Sequence, residues 1–439
     1  MQKISKHSRI FTDIDDDAIL YNSINRAIVS IPQAYLNKNM LNGEIPNSEL
    51  VSLQEMGFLE EETDVKQVEK EYNEFTNLII SLETLLACNL ACPYCYQIGN
   101  NSNKKRISVE NLDLLYEYIV KVYKISQFKS LTFKVLGGEP TVDCNTADYI
   151  IQKLSKFCKE HKIYFKLMID TNGTIINDLL LLNGYDSLIF TIPLTHKECH
   201  DIYRKYPSGQ GSYDKIVDNI NELSQKLENS TIVLRYNIDS ININKFRDYI
   251  QDLKSKLIFS PIISPNYTLN LGGGNYENQL KHSDFVKWLS SDFIDIMAEY
   301  NYKIVASPFN LSTKCQYWSE YSLKVFSNGT VGACAMNFFD KNNPMLSEVV
   351  ENMNDISKYW NGAKSYSVFS DLNCKKCSSL FLCGGAYRIP CVKSLNLQEC
   401  LPDGIIHIDL KLFLKRYLKY SEEGKNDLFV GFNECENYK

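Results

Sequence analysis

Three cysteines lie close together at Cys88, Cys92 and Cys95, in the segment ACNLACPYCY. Their spacing is C-x3-C-x2-C, and an aromatic residue, Tyr94, comes just before the last of them. Thiolates spaced in this way can ligate three irons of an iron–sulfur cube or form part of a zinc site. Cubes that only carry electrons use four cysteines, so an iron left without a protein ligand is open to a small molecule. On its own the triplet therefore predicts either a catalytic cube or a zinc site.

Two turns that follow strand-like runs favour the first of these alternatives. The first turn consists of Gly137, Gly138, Glu139 and Pro140, after the apolar run 131–136. The second consists of Thr171, Asn172 and Gly173, after the run 164–169. Each turn alone is typical of an ordinary strand-to-helix connection rich in glycine and asparagine. The triplet, the GGEP turn and the TNG turn in this order, each after a strand, together indicate a catalytic cube.

At these motifs the chain resembles the radical S-adenosylmethionine (SAM) superfamily. The resemblance implies a [4Fe–4S] cluster held by Cys88, Cys92 and Cys95, whose fourth iron binds the amino and carboxylate groups of SAM. It also implies that an electron from the reduced cluster breaks a carbon–sulfur bond of SAM and releases a 5′-deoxyadenosyl radical. The GGEP turn and Tyr94 are then expected beside the cofactor, and the TNG turn near the SAM ribose. In such enzymes the cofactors carry the chemistry, and the protein positions them and excludes side reactions.

Three further residues are candidate SAM contacts through the same resemblance. Arg204 ends an H-D-x2-R segment whose arginine in the family binds the SAM carboxylate, a task that suits the planar fork of a guanidinium. The alternative for Arg204 is a charge on a helix surface. Thr191 stands where relatives carry a serine that touches SAM, although the aspartate and glycine that often follow are replaced here by proline and leucine. Asn237, on the next predicted strand, is a weaker candidate.

A second group of cysteines fills the C-terminal part of the chain. The group consists of Cys315, Cys334, Cys374, Cys377, Cys383, Cys391, Cys400 and Cys435. The C-x2-C pair within it is also typical of a zinc knuckle. The whole array resembles the SPASM extension of radical SAM enzymes, which holds two auxiliary [4Fe–4S] clusters. That resemblance assigns Cys374, Cys377, Cys383 and Cys400 to the second auxiliary cluster, and Cys315 and Cys334 to part of the first.

One position of the array departs from the SPASM pattern. Tyr387 stands where the family has a cysteine that ligates the first auxiliary cluster. Cys391, four residues further on, is the favoured substitute. The alternatives are an under-ligated cluster open to substrate, a tyrosinate ligand, or no first auxiliary cluster. Cys435 is a spare candidate ligand for either cluster.

Alternating segments between residues 77 and 300 predict an α/β fold. The predicted strands are 77–84, 131–136, 164–169, 187–194, 231–238 and 257–263, and the predicted helices are 109–125, 147–161, 213–227 and 245–256. Such alternation indicates right-handed βαβ units and a parallel sheet. Six units match the partial (β/α)6 barrel of radical SAM enzymes. The chemistry is then expected at the carboxyl ends of the strands.

The segments on either side of the barrel predict two further domains. Residues 1–75 read as a strand pair around Asn25, a helix over 48–57 and a charged helical run over 60–74. This order resembles the small winged-helix modules with which peptide-modifying enzymes grip a leader peptide, for which a sheet edge would serve; the alternative is a structural cap on the barrel. The predicted division is a peptide-binding module over 1–75, the barrel over 76–300 and a SPASM domain over 301–439.

Composition limits the class of protein. The chain has 439 residues, 47 basic against 53 acidic side chains and 14 cysteines. A net charge of −6 gives no basic field for nucleic acid. The N-terminal sequence lacks the pattern of a signal peptide, and no apolar run has membrane-spanning length. We therefore expect a cytoplasmic protein with reduced thiols, acting on neither nucleic acid nor membrane.

The expected function is that of a peptide maturase, since SPASM enzymes mostly act on peptides or proteins. Such an enzyme would join a cysteine sulfur or a side-chain carbon to another carbon of a ribosomally made precursor peptide. Its partners would be the precursor with its leader and a reductant such as flavodoxin or ferredoxin. The first alternative is an anaerobic sulfatase maturase, although such enzymes place the triplet close to the N-terminus and Cys88 does not lie there. The second alternative is a metal-binding interaction protein without catalysis.

Overall fold

The computed structural model of the chain describes most but not all residues. The described residues are 2–5, 7–14, 16–37, 40–41, 45–59, 69–70, 74–95, 105–176, 184–226, 230–268, 276–305, 315–334, 343–365, 367–375, 377, 380, 404–405 and 408–430. The chain forms two compact units. The smaller consists of residues 1–74, 283–315 and 366–432, and the larger of 75–282, 316–365 and 433–439. The division at residues 75 and 300 stays a prediction.

The strands and helices of the described residues are as follows. The strands are β1 (Gln2–Lys3), β2 (Ser8–Ile14), β3 (Asp17–Asn22), β4 (Ile28–Pro32), β5 (Leu36–Asn37), β6 (Met40–Leu41), β7 (Asn77–Glu83), β8 (Ser130–Leu136), β9 (Tyr164–Asp170), β10 (Ser187–Pro193), β11 (Ser230–Ile238), β12 (Ile262–Tyr267), β13 (Ile304–Val305), β14 (Leu323–Val325), β15 (Val331–Gly332), β16 (Gly404–Ile405), β17 (Ile408–Asp409) and β18 (Phe429–Val430). The helices are α1 (Asn47–Glu55), α2 (Val109–Ser126), α3 (Cys144–His161), α4 (Lys197–Tyr203), α5 (Tyr213–Lys226), α6 (Phe246–Lys256), α7 (His282–Leu289), α8 (Asp292–Glu299), α9 (Leu346–Glu351), α10 (Leu372–Lys375) and α11 (Leu410–Glu422).

The larger unit is built on a parallel sheet. Strands β7 to β12 lie side by side in chain order, and every neighbouring pair is parallel. Helices α2, α3, α5 and α6 lie between successive strands along the chain and bury one apolar face each. This arrangement confirms the predicted α/β fold with its six-stranded parallel sheet. It also brings the loops that follow β7 to β11 to one edge of the sheet.

The position of the sixth strand was predicted wrongly. The apolar run 257–263 predicted a strand, but α6 ends at Lys256 and β12 begins only at Ile262. Ile258 is 61% exposed, so its apolar side chain does not contribute to the core. Pro265 lies within β12, where it is tolerated because β12 is at the edge of the sheet.

Two strands from beyond the barrel extend the sheet on its other side. β14 pairs in parallel with β7, and β15 pairs with β14 in an antiparallel hairpin. Gly329 lies in the hairpin turn with φ of +83°, a conformation that favours glycine. The sequence did not predict the addition of this hairpin to the barrel sheet.

The N-terminal part of the smaller unit contains two small antiparallel sheets. Strands β2, β3 and β4 form one sheet in that order, and β1, β6 and β5 form the other. The predicted strand pair around Asn25 corresponds to β3 and β4, whereas β2 was not predicted. These sheets and α1 share a core. The predicted charged run over 60–74 lies largely outside the described residues, and the winged-helix resemblance stays a prediction.

The described C-terminal part of the smaller unit contains helices and two strand pairs, one of which is the antiparallel pair of β16 and β17. β13 and β18 pair in parallel, and Arg416 of α11 binds Asp295 of α8 at 3.0 Å. Val368, Phe369 and Leu380 form a small core against which Ile24 and Cys374 pack. No helix in the described part of the chain is both long and apolar enough to cross a membrane.

Candidate active site

The triplet loop follows β7 and lies directly against the GGEP turn that follows β8. The backbone N–H of Gly138 donates to the carbonyl of Leu85 at 2.8 Å, and that of Glu139 donates to the carbonyl of Ala87 at 2.8 Å. A Cβ atom on Gly138 would overlap the carbonyl oxygens of Leu86 and Ala87. The glycine is therefore required by the close approach of the two loops, and the triplet begins one residue beyond this contact.

Glu139 joins the GGEP turn to the TNG turn. Its side chain is fully buried, and Oε1 accepts hydrogen bonds from the hydroxyl of Thr141 at 2.6 Å, from its N–H at 3.1 Å and from the hydroxyl of Thr171 at 2.6 Å. Oε2 accepts from the N–H of Asn172 at 2.6 Å. Burial raises the pKa of Glu139, and these hydrogen bonds oppose the shift. The carboxylate thus fixes the second and third loops of the site relative to each other.

The TNG turn in turn contacts the cysteine loop. The side-chain amide of Asn172 donates to Cys88 Sγ at 3.8 Å and to Asn89 Oδ1 at 2.8 Å. The amide of Asn89 donates to the hydroxyl of Thr174 at 2.8 Å, and the N–H of Leu90 donates to Cys88 Sγ at 3.4 Å. The structure therefore brings together the triplet, GGEP and TNG motifs, and it surrounds the first cysteine with hydrogen-bond donors suited to a thiolate.

The three thiols of the triplet are partly buried. Burial raises the pKa values of Cys88 and Cys92, and the positive charge of Arg204 partly offsets this for Cys92. Among the described residues, no three histidine, cysteine, aspartate or glutamate side chains form a group that could hold one metal ion. A cube makes a different demand, because each thiolate binds its own iron. Donors directed at Cys88 and the cation beside Cys92 fit a cluster of bound thiolates, which coordination deprotonates.

Arg204 lies in the interior beside the triplet and is not a charge on a helix surface. It is 8% exposed, and its Nη1 donates to the hydroxyl of Tyr94 at 3.3 Å. Burial lowers the pKa of Arg204, but Tyr94 and the thiol of Cys92 outweigh burial, so the pKa lies above its ordinary value. The Nε of Arg204 is buried, and no described residue is its hydrogen-bond partner. A buried guanidinium with an unused donor fits an anionic group such as the carboxylate of SAM.

Asn237 also acts at this point: burial raises the pKa of Tyr94, and the side chains of Arg204 and Asn237 oppose that shift. The predicted candidates Tyr94, Arg204 and Asn237 therefore form one cluster. Thr191 contributes through its backbone, since its carbonyl accepts from the N–H of Thr171 at 3.2 Å. That bond does not depend on the threonine side chain, so a side-chain contact of Thr191 with SAM stays a prediction.

Two tyrosines that the sequence did not single out pack against Tyr94. The ring of Tyr203 lies 5.9 Å from that of Tyr94, and the ring of Tyr276 lies 5.5 Å from it, both edge to face. The hydroxyl of Tyr276 donates to the buried carboxylate of Asp239 at 2.5 Å, and Asn278 donates to the hydroxyl of Tyr203 at 2.7 Å. Because the chain has 28 tyrosines, composition gave no signal for these two.

The cysteines predicted as auxiliary ligands are only partly described. All ten cysteines in the described residues are free thiols. Cys334 is buried beyond β15 in the larger unit, whereas Cys315, Cys374 and Cys377 belong to the smaller unit. The N–H of Cys377 donates to the carbonyl of Cys374 at 3.0 Å, which places this pair in one turn. The remaining predicted ligands lie outside the described residues, and they are Cys383, Cys391, Cys400 and the alternatives Tyr387 and Cys435.

Comparison with known proteins agrees with this geometry. Residues 82–253 match the sequence model of the Radical SAM superfamily. Over 349 residues the chain is 26% identical to a "Cysteine-type anaerobic sulfatase-maturating enzyme" of Clostridium novyi. The aligned region covers 75% of this chain and 92% of that protein. A solved structure of anSMEcpe with bound AdoMet shares the fold with a TM-score of 0.53 and 19% identity, over 82% of this chain and 99% of that chain.

Two structures with bound peptides are also similar. The structure of anSMEcpe with bound AdoMet and the Kp18Cys peptide has a TM-score of 0.52 and 19% identity, over 82% of this chain and 100% of that chain. The structure of Streptococcus suis SuiB with the precursor peptide SuiA has a TM-score of 0.48 and 16% identity, over 92% of this chain and 98% of that chain.

The matched segment contains every part of the described site up to Asn237. The sheet order, the converging loops and the buried arginine all lie within or beside that segment. A radical SAM domain implies a [4Fe–4S] cluster and SAM as cofactors. The chain therefore contains a radical SAM domain, which includes residues 82–253.

Proposed function

We propose that this chain cleaves SAM reductively and abstracts hydrogen from a ribosomally made precursor peptide, in which it installs a thioether or carbon–carbon crosslink. One observation carries the proposal. The loops after β7, β8 and β9 are tied together by Glu139 and Asn172 around Cys88, and Arg204 adds a buried cation with an unused donor beside Cys92. This is a site for an anionic cofactor next to a metal cluster.

Different residues of the chain would have different roles at this site. When bound, the cluster and SAM supply an electron and a carbon-centred radical. Cys88, Cys92 and Cys95 would hold the cluster, and Arg204 would bind the carboxylate of SAM. Glu139 holds the GGEP and TNG turns, so that their backbone groups line the site at fixed positions. The rings of Tyr94, Tyr203 and Tyr276 pack against one another, and the hydroxyl of Tyr94 accepts a hydrogen bond from the arginine.

The exposed edge of the N-terminal sheet β2–β3–β4 is an argument for a peptide as the substrate. In the order β2–β3–β4, strand β4 has only one neighbour among the described residues, and Ser30 and Pro32 on it are exposed. An edge of this kind can accept an extended peptide as an added strand. We propose that residues 1–75 hold the leader in this way while the core of the precursor enters the barrel. Two auxiliary clusters in the C-terminal segment and a small redox protein as reductant complete the proposal.

A second candidate is an anaerobic sulfatase maturase, which would oxidise a cysteine or serine of its client to formylglycine. The match to the Clostridium novyi enzyme along 92% of that protein favours this candidate. Since the match covers 75% of this chain, about a quarter of the chain lies outside it and is available for a different task. The two candidates share the cleavage of SAM and differ in the peptide that is modified.

The test combines SAM cleavage with mass spectrometry. Reduced, anaerobic protein should form 5′-deoxyadenosine, and Cys88→Ala, Cys92→Ala or Cys95→Ala should each abolish it, because two thiolates do not hold an open cube. Cys158→Ala, which removes a buried thiol of α3, is the matched control and should keep the activity. Full cleavage by any one of the three triplet variants after reconstitution would exclude the triplet as the SAM site.

The same assay then separates the two substrates. A precursor peptide encoded beside this chain should lose two hydrogens when a crosslink forms. A sulfatase-derived cysteine peptide would instead lose two hydrogens and exchange its sulfur for oxygen. Modification of the second peptide alone would overturn the proposal in favour of the sulfatase maturase.

A further inference from the structure

We infer that His200 and Ser212 are positioning residues that fix the backbone of Arg204, and thereby aim its guanidinium at the carboxylate of SAM. The inference rests on the proposed function, since it assigns the carboxylate to Arg204. His200 and Ser212 are 1% and 0% exposed, and neither contacts the cysteine loop in any hydrogen bond of the described structure. Their role therefore has to be explained through Arg204.

A chain of three hydrogen bonds links the two residues to Arg204. His200 lies on α4, and its Nε2 is 3.1 Å from the hydroxyl oxygen of Ser212. That hydroxyl donates to the carbonyl oxygen of Arg204 at 2.5 Å. On the other side of the ring, the N–H of Thr195 donates to Nδ1 of His200 at 3.4 Å. The chain runs from the end of β10, through α4, to the residue that ends α4.

The positions of the protons follow from this geometry. The hydroxyl of Ser212 has one proton and uses it on the carbonyl of Arg204, so it can only accept from His200. Nε2 of His200 therefore carries the proton, and Nδ1 is the acceptor for Thr195. If Nδ1 were protonated, its N–H and the N–H of Thr195 would face each other in a buried space without an acceptor between them. Burial and the charge of Arg204 accordingly hold the pKa of His200 well below its ordinary value.

Ser212 would ordinarily serve a different purpose at this place. It directly precedes α5, where a serine hydroxyl commonly caps the helix by accepting a backbone N–H. Here the carboxylate of Asp201 accepts from the N–H of Tyr213 at 2.9 Å, and the serine hydroxyl is directed backwards to Arg204 instead. The hydroxyl of Ser212 thus holds the carbonyl of Arg204, and His200 orients that hydroxyl.

The support matters because Arg204 is long and buried. Ordering such a side chain costs rotamer entropy, and its only described side-chain hydrogen bond is that to Tyr94. The backbone of Arg204 leaves the helix with φ of −109° and ψ of 73°, so no helical hydrogen bond holds its carbonyl. Ser212 holds that carbonyl, which fixes the Cα–Cβ direction from which the guanidinium reaches the hydroxyl of Tyr94.

The experiment measures SAM binding by the intact, cluster-loaded protein without reductant. Ser212→Ala and His200→Leu should each weaken SAM binding about tenfold, the equivalent of one lost buried hydrogen bond. His200→Gln should restore affinity to within about threefold, because its amide can donate to Ser212 from the place of Nε2. Under turnover the KM for SAM should rise about as much as the dissociation constant while kcat stays nearly constant. Lys197→Ala, on an exposed face of α4, is the control and should change nothing.

Two outcomes would overturn the inference. Unchanged SAM affinity in Ser212→Ala would show that the carbonyl of Arg204 needs no support. Nitrogen NMR of protein labelled with 15N-histidine should show the Nε2–H tautomer of His200, whose resonance is assigned by its loss in His200→Gln. An Nδ1–H tautomer would contradict the hydrogen-bond chain. This measurement uses the wild-type protein, so it decides the question even if Ser212→Ala or His200→Leu does not fold. Wild-type protein that does not bind SAM at all would instead refute the proposed function.

Discussion

A buried ion pair between β7 and β14 allows a quantitative test of how the hairpin is joined to the barrel. The Nζ of Lys324 lies 3.4 Å from Oε2 of Glu83, with side-chain exposures of 0% and 6%. Ser327 donates to Oε1 of Glu83 through its hydroxyl at 2.9 Å and its N–H at 3.2 Å. The ring of Phe326 lies 4.4 Å from Nζ. Glu83 is the last residue of the strand that leads to the triplet, so this pair lies beneath the site.

Glu83→Gln should lower the free energy of unfolding by about 3–5 kcal/mol, because it leaves the ammonium of Lys324 buried without its counter-charge. The variant keeps an oxygen that can accept from Ser327, so the loss reports the charge and not the hydrogen bonds. Lys324→Met should lower the free energy of unfolding by a similar amount, because it leaves the carboxylate of Glu83 buried without its counter-charge. The double variant should lose less than the two single losses together, by about 1–3 kcal/mol.

The dependence on pH distinguishes a charge effect from a packing effect. Burial lowers the pKa of Lys324, and Glu83 partly restores it. Between that lowered value and about 10.4, where lysine titrates in the unfolded chain, the unfolded state binds more protons, so the free energy of unfolding rises with pH. In Glu83→Gln the pKa of Lys324 in the folded state falls further. The pH range over which the free energy of unfolding rises with pH therefore becomes wider. The cost of the variant relative to wild type should therefore shrink as the pH is raised above neutrality.

Anaerobic urea unfolding, followed by tryptophan fluorescence and far-ultraviolet circular dichroism, measures these changes as shifts in midpoint. Lys226→Ala is the control, because it removes an exposed pair on α5 and should change stability by less than about 0.5 kcal/mol. Strict additivity in the double variant, or a loss in Glu83→Gln that is the same at every pH, would refute the electrostatic reasoning.

Three further predictions concern the loops and the clusters. Gly138→Ala should reduce both iron content and SAM cleavage at least tenfold, because its methyl group overlaps two carbonyls, whereas Gly184→Ala meets only a serine hydroxyl and should not. Removing residues 1–75 should leave uncoupled SAM cleavage largely intact and abolish precursor modification; undiminished modification would exclude a leader-binding role. Iron counting should give about twelve irons per chain, with loss of about four in Cys391→Ala and none in Tyr387→Phe; the reverse would assign the ligand to the tyrosine.

The parallel sheet was predictable because its signals are local. Each of the first five strands is an apolar run of seven to nine residues before a glycine- or asparagine-containing turn or an amphipathic helix. The sixth failed because an apolar run need not be buried, and Ile258 points to solvent. The hairpin of β14 and β15 could not be foreseen, since its place in the sheet depends on pairing with β7 about 240 residues earlier.

The candidate site was predictable in its motifs and not in its contacts. Spacing placed Arg204 equally well on a helix surface or in the cofactor site, and only burial decides between them. Nothing in the sequence joins His200 to Ser212 or Tyr203 to Tyr94, because each pair forms only when helix α4 packs against another segment of the folded chain. The sequence also gave no sign of the ion pair, because Glu83 and Lys324 lie in strands whose other residues are mostly apolar.

The arrangement of Glu139 bears on how the GGEP turn can serve the cofactor. Both oxygens of its carboxylate already accept hydrogen bonds from Thr141, Thr171 and Asn172, and the side chain is fully buried. A direct contact of this carboxylate with the amino group of SAM would add to four existing bonds in a space closed to solvent. The backbone N–H groups of Gly138 and Glu139 also have partners, in the triplet loop, so the cofactor would be met by backbone carbonyls of the turn. The close approach of Gly138 to the triplet loop fixes the course of that backbone. Gly138 and Glu139 would therefore serve the cofactor indirectly, because they hold the loops after β7, β8 and β9 together and so fix the position of the triplet loop.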